Sequence, residues 1–150
     1  MRVHSWLTSS VMTDSDLKRI LTTAKTIAVV GCSADPAKAS HEVAAYLQAQ
    51  GYRVIPVNPR GGTILGETVY PDLEAIPFAV DLVDIFRPPA DCPAVARQAV
   101  AIKAKTLWLQ LGIVSDEAAA LATAGGLAVV MDRCTLIEHR RLVGASAAGQ

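Results

Sequence analysis

Thr26-Ile27-Ala28-Val29-Val30-Gly31-Cys32-Ser33 is the stretch on which the fold turns. Its first residues form a short apolar, β-branched run that is too brief for a helix and stops at a glycine. Such a run, with no polar alternation, reads as a strand buried on both faces, the situation of a parallel sheet covered by helices. Upstream, Thr13 and Asp16 stand in a capping-box-like relation, and residues 14–24 would then form a helix with Leu17, Ile20 and Leu21 on one face. Downstream comes a loop with Pro36. A helix over 40–50 follows, burying Val43, Ala44 and Leu47 and stopped by Gly51.

The same alternation continues to the end of the chain. Residues 52–57 read as a strand ended by Asn58-Pro59-Arg60-Gly61-Gly62, and 63–75 as irregular, with a short strand near Val69-Tyr70 and a helical turn around Leu73. A strand over 80–86 is stopped by Pro88-Pro89, and a helix over 91–104 tolerates Pro93 in its first turn. Then follow a strand over 106–109, a helix over 115–124 ended by Gly125-Gly126, a strand over 127–131 and a closing turn over 139–142. The order predicts an α/β, Rossmann-like, doubly wound fold. Its sheet is mainly parallel and five- to six-stranded, with helices on both faces. One domain spans 13–143, preceded by a loose leader over 1–12 and followed by a flexible tail over 144–150.

Composition narrows the function classes. The 150 residues carry 14 basic and 14 acidic side chains without a basic stripe, which argues against a nucleic-acid binder. Mean hydropathy is high at +0.33, yet no apolar run approaches the roughly 20 residues needed to span a bilayer. Cys32, Cys92 and Cys134 are odd in number and lack CxxC spacing, so neither a disulfide framework nor a metal site is indicated. Reduced thiols and an N-terminus without signal-peptide layout fit a cytoplasmic protein. The apolar content allows a homodimer without specifying an interface.

In doubly wound sheets ligands bind beyond the carboxyl ends of the strands, which directs attention to the loops there. Gly31 permits a tight turn, and backbone amides nearby or at the next helix start can meet a phosphate. The full GxGxxG fingerprint is absent, because Ser33 and Pro36 stand where its later glycines belong. Ser33 offers a hydroxyl and Lys38 a point charge. After the second strand an NAD site would place an acid, whereas here Val57 leads into Asn58-Pro59-Arg60. Arg60 suits an extra phosphate on the adenosine ribose, as in NADP or coenzyme A. Phe86-Arg87 can pair an aromatic surface for adenine with a guanidinium for phosphate, and Gln110-Leu111-Gly112 admits close ligand approach above the following strand. At the last strand Asp132, Arg133, Glu138 and His139 read as a structural ion-pair network, while Cys134 and His139 leave a nucleophile and base open.

These residues together carry a family resemblance. Val29 to Ser33, Pro36 to Ser40, Gly51 to Pro59, Asp84 to Arg87, Leu107 to Ile113, and Val130 to Cys134 with Glu138-His139 look like the small stand-alone CoA-binding proteins. Those in turn resemble the amino-terminal CoA-binding domain of the succinyl-CoA synthetase α subunit. The likeness covers roughly residues 14–142 and implies coenzyme A or acyl-CoA lying across the carboxyl edge of the sheet. By position it implies phosphate contacts at Gly31, Cys32 and Ser33, nucleotide contacts at Lys38 and Asn58 to Arg60, and a remaining lining from Phe86-Arg87 and Gln110 to Gly112. Cys32 departs from the small or aliphatic residue expected there and, if accessible, could form a mixed disulfide with coenzyme A. The ligase keeps its phosphorylated histidine in a later domain, so the resemblance implies binding without catalysis. An NADP-linked reductase or a CoA-transfer component is the alternative.

Overall fold

The computed structural model describes residues 12–144, so the expected leader and tail lie almost wholly outside the described residues. Helix α1 (Asp14–Thr23) opens with the anticipated capping box. The Asp16 N–H donates to Thr13 Oγ1 at 3.1 Å, and the Thr13 N–H donates to Asp16 Oδ2 at 3.0 Å. The chain then runs through β1 (Thr26–Val30), α2 (Ala39–Ala49) and β2 (Arg53–Val57). A two-residue-per-strand hairpin, β3 (Thr63–Ile64) and β4 (Glu67–Thr68), precedes a 3₁₀ turn at Leu73–Ala75. Next come β5 (Leu82–Ile85), a 3₁₀ turn at Pro89–Asp91, α3 (Cys92–Ala101), β6 (Thr106–Leu109), α4 (Asp116–Ala124), β7 (Ala128–Val130) and α5 (Thr135–His139). The last helix runs into a π turn at Arg140–Gly144 where only a closing turn was expected.

The main sheet is five-stranded and parallel, in the order β2-β1-β5-β6-β7. The irregular stretch after β2 contributes no sixth strand: its hairpin is separate, and Tyr70 makes a single bridge to Val57. Helix α3 ends at Ala101, short of residue 104, because Lys103 takes a left-handed backbone with φ 60°. No helix among the described residues is long and apolar enough to cross a membrane.

Alternation along the strands sorts side chains into two layers. Ala28, Val30, Val83 and Ile85 face α3, α4 and the 73–80 segment, whereas Ile27, Val29 and Leu82 face α1, α2 and α5. The connection from β1 to β2 runs over one face and those from β5 onward over the other. Neighbouring β1 and β5 therefore send their following loops apart, and a crevice opens between them at this switch in strand order.

Candidate functional site

A cleft of about 870 Å³ opens at that switch point. Its floor is the turn after β1. Gly31 has φ +87°, and a Cβ built there would lie 2.7 Å from the Phe86 carbonyl oxygen and 3.0 Å from Arg87 Cδ. Only glycine fits both the dihedral and the space. Its N–H donates to the Val57 carbonyl at 2.9 Å, joining the ends of β1 and β2. The following loop is knitted by its own short side chains. Ser33 N–H donates to Ser40 Oγ at 3.0 Å, Asp35 N–H to Ser33 Oγ at 3.0 Å, and Ala37 N–H to Asp35 Oδ1 at 2.9 Å. Lys38 is the N-cap of α2 and provides no side-chain cap, so the positive end of that helix is left to whatever enters from the loop side.

Asn58 builds the second wall. Its Nδ2 donates to the Cys32 carbonyl at 2.8 Å and its Oδ1 accepts from Arg60 N–H at 2.9 Å. The side chain read as a nucleotide contact thus clamps two loops together. Val57, Pro59 and Arg60 line the cleft beside it, and Lys38 and Arg87 complete a set of three cations around one space. The third wall is the start of α3, with Asp91, Val95 and Gln98, opposite Asp72. The helix was expected from the sequence, but its place in the cleft wall and the acids were not, although the short step from Arg87 to Asp91 places those two on one turn.

Five residues expected along the ligand, Cys32 at the phosphates and Phe86 and Gln110 to Gly112 in the remaining lining, stand outside this cleft. Cys32 is fully buried among Val43, Ala44 and Leu47, and burial pushes its thiol up to about 11, with the Asp84 carboxyl adding to the shift. A thiol so placed is neither nucleophilic nor reachable, which removes the mixed disulfide and leaves Cys32 its backbone alone. Phe86 packs half-buried on the layer away from the cleft. Gln110 is buried, its Oε1 accepting from Thr135 N–H at 3.0 Å. Gly112 N–H donates to Asp132 Oδ1 at 2.7 Å, and Leu111 points outward, 62% exposed. None of the five lines the cleft; Gln110, Leu111 and Gly112 are held off it because the loop after β6 is drawn towards the segment after β7.

The polar residues after β7 form a closed arrangement. Arg141 bridges Glu138 at 2.6 Å and Asp14 at 2.8 Å, and Arg133 lies 3.6 Å from Glu138. Two members of the expected ion network do other work. Asp132 holds Gly112, and buried His139 pairs through Nδ1 with the Tyr46 hydroxyl at 2.8 Å, its own pKa lowered by burial. No hydrogen bond joins Cys134 to His139 among the described residues; Cys134 Sγ accepts from Gln110 Nε2 at 3.9 Å. Beneath them Asp84, fully buried, accepts from Thr135 Oγ1 at 2.8 Å, and its Oδ1 has no partner among the described residues. Burial raises its carboxyl to about 8, so it stays protonated at neutral pH. An acid inside an otherwise apolar strand was the visible sign of this buried group.

Comparison with known proteins places the chain in context. The family model described as a CoA binding domain matches residues 25–140. The uncharacterised protein YneT of Bacillus subtilis (strain 168) is 37% identical over 125 residues, covering 83% of this chain and 93% of that one. A hypothetical protein from Pyrococcus horikoshii OT3 superposes with a TM-score of 0.87 at 38% identity, covering 90% of this chain and 95% of that chain. The apo form of a dinucleotide-forming acetyl-coenzyme A synthetase 1 from Ca. Korarchaeum cryptofilum superposes with a TM-score of 0.68 at 25% identity. That match covers 78% of this chain but 28% of the synthetase.

Proposed function

The chain belongs to the CoA binding domain family, and on that premise we propose that its cleft holds the 3′-phosphoadenosine diphosphate part of coenzyme A or an acyl-CoA. One observation carries this reading: Lys38, Arg60 and Arg87 surround a single cleft whose floor is the Gly31 turn. The volume of about 870 Å³ suits a ligand of nucleotide size. Arg60 takes the ribose 3′-phosphate, Lys38 and Arg87 take the diphosphate, and adenine packs on the apolar lining that includes Val57 and Pro59. The pantetheine arm leaves along the carboxyl edge of the sheet with its thiol outward.

The protein holds this ligand without chemistry of its own. Among the described residues no cysteine or histidine lines the cleft, and the half-exposed thiol of Cys134 is engaged with Gln110. The Korarchaeum synthetase contains a similar unit as a fraction of its length, which supports a ligand-holding role that serves another protein's reaction. Free thiols at Cys32, Cys92 and Cys134 fit work in the reducing cytoplasm.

Calorimetric titration with coenzyme A, dephospho-coenzyme A, acetyl-CoA, NADP and NAD tests the reading. Coenzyme A should bind more tightly than its dephospho form. Equal affinity removes the role of Arg60, and preference for NADP transfers the site to a reductase. Lys38→Ala and Arg87→Ala should each weaken coenzyme A binding about ten-fold while leaving the melting transition in place. Unchanged affinity in both discards the cleft.

A further inference from the structure

Three acids share the cleft with its three cations, and they are not equivalent. Asp35 Oδ1 accepts from Ala37 N–H at 2.9 Å, and Asp72 Oδ1 accepts from Ala75 N–H at 2.9 Å. Both carboxylates build turns. Asp91 does not. It stands where the 3₁₀ turn runs into α3, in helical backbone (φ −89°, ψ −13°), and its side chain makes no cap hydrogen bond. Its carboxylate instead meets the Arg87 guanidinium at 2.8 Å, its one ion-pair partner among the described residues. Pro88 and Pro89 preset the intervening backbone, and Asp91 N–H donates to the Pro88 carbonyl at 2.9 Å. The Arg87 stem is confined as well, since its Cδ lies against Gly31.

We propose that Asp91 is a specificity-determining latch: it occupies Arg87 as an internal anion, and a ligand phosphate gains the guanidinium only by displacing it. This rests on the phosphate-binding reading of the cleft. A guanidinium fork accepts carboxylate or phosphate in the same planar geometry, so one anion exchanges for the other without rebuilding the site. The displaced carboxylate stays beside the N-terminus of α3, where the helix dipole favours a negative charge. Only a ligand anion strong enough to displace the carboxylate gains the guanidinium; adenosine or pantetheine leaves the pair intact and draws nothing from Arg87. The exchange thereby ties affinity to the diphosphate.

The test is calorimetry on the full chain with coenzyme A and with inorganic pyrophosphate, using the wild type, Asp91→Asn, Arg87→Ala and the double variant. Asp91→Asn should bind both probes about three- to ten-fold more tightly, since an exposed ion pair and a like charge are removed together. In the Arg87→Ala background the same change should yield no gain. Unchanged or weaker binding by Asp91→Asn overturns the latch. An equal gain in both backgrounds also overturns it, because loss of a negative charge then explains everything without Arg87. If the wild type takes up no coenzyme A while Asp91→Asn still gains pyrophosphate affinity through Arg87, the latch stands and the coenzyme A reading falls.

Discussion

The carboxyl edge of the sheet has two halves that are built from similar residues and end in opposite states. Around β1, β2 and β5 the loops turn outward on a glycine and on short side chains that bond within their own loops, so Lys38, Arg60 and Arg87 stay at the surface of an open cleft. Around β6 and β7 the chain folds back as α5 over the strand ends. Trp108 Nε1 donates to the Arg133 carbonyl at 2.7 Å, Gln110 to Cys134, Thr135 to Asp84, and His139 lies against Tyr46 and Tyr52. Polar groups at strand ends therefore do not announce a site. A site arises where the chain leaves them open to solvent; where the chain returns and covers them, the result is a polar core.

Substitution on each side would sharpen or break that contrast. The largest effect belongs to the closed half. Trp108 is fully buried, and Trp108→Ala should cost about 4 kcal/mol in chemical denaturation, while coenzyme A affinity of the folded protein stays as in the wild type. A loss under about 1 kcal/mol would deny that this half is packed core. On the open half, Gly31→Ala meets the Phe86 carbonyl at 2.7 Å in a left-handed backbone. It should cost about 3 kcal/mol and abolish coenzyme A binding in calorimetry; retained affinity would separate the turn from the ligand.

The closed half also governs the pH dependence of stability. The folded protein keeps the Asp84 proton up to about 8, whereas the unfolded chain releases it near the ordinary 3.8. Asp84's contribution is thus complete below the lower value and is lost as pH rises through the upper one. Asp84→Asn has no proton to lose. Its stability relative to the wild type should rise between pH 5 and pH 8 by up to about 1.4 kcal/mol per pH unit, read from urea melts. The lowered His139 pKa acts with the opposite sign, costing stability as pH falls below about 6.5, but it is common to both proteins and cancels. A flat difference would mean that Asp84 ionises freely in the fold.

The sequence by itself determined the order of elements, the parallel sheet and the turn at Gly31. These depend on local signals: β-branched runs, a capping box, and glycines and prolines at element ends. It also carried the cations of the cleft, because the loops after parallel strands must converge on one edge. Only the tertiary structure decided which loops share a space. Cys32 and Ser33 are adjacent in the chain, yet one lies in the core and the other at the cleft. Gln110 to Gly112 follow a strand as Asn58 to Arg60 do, yet α5 pulls them away. Such outcomes depend on the direction in which each connection crosses the sheet and on what covers each strand end, and both are set by packing between segments distant in sequence.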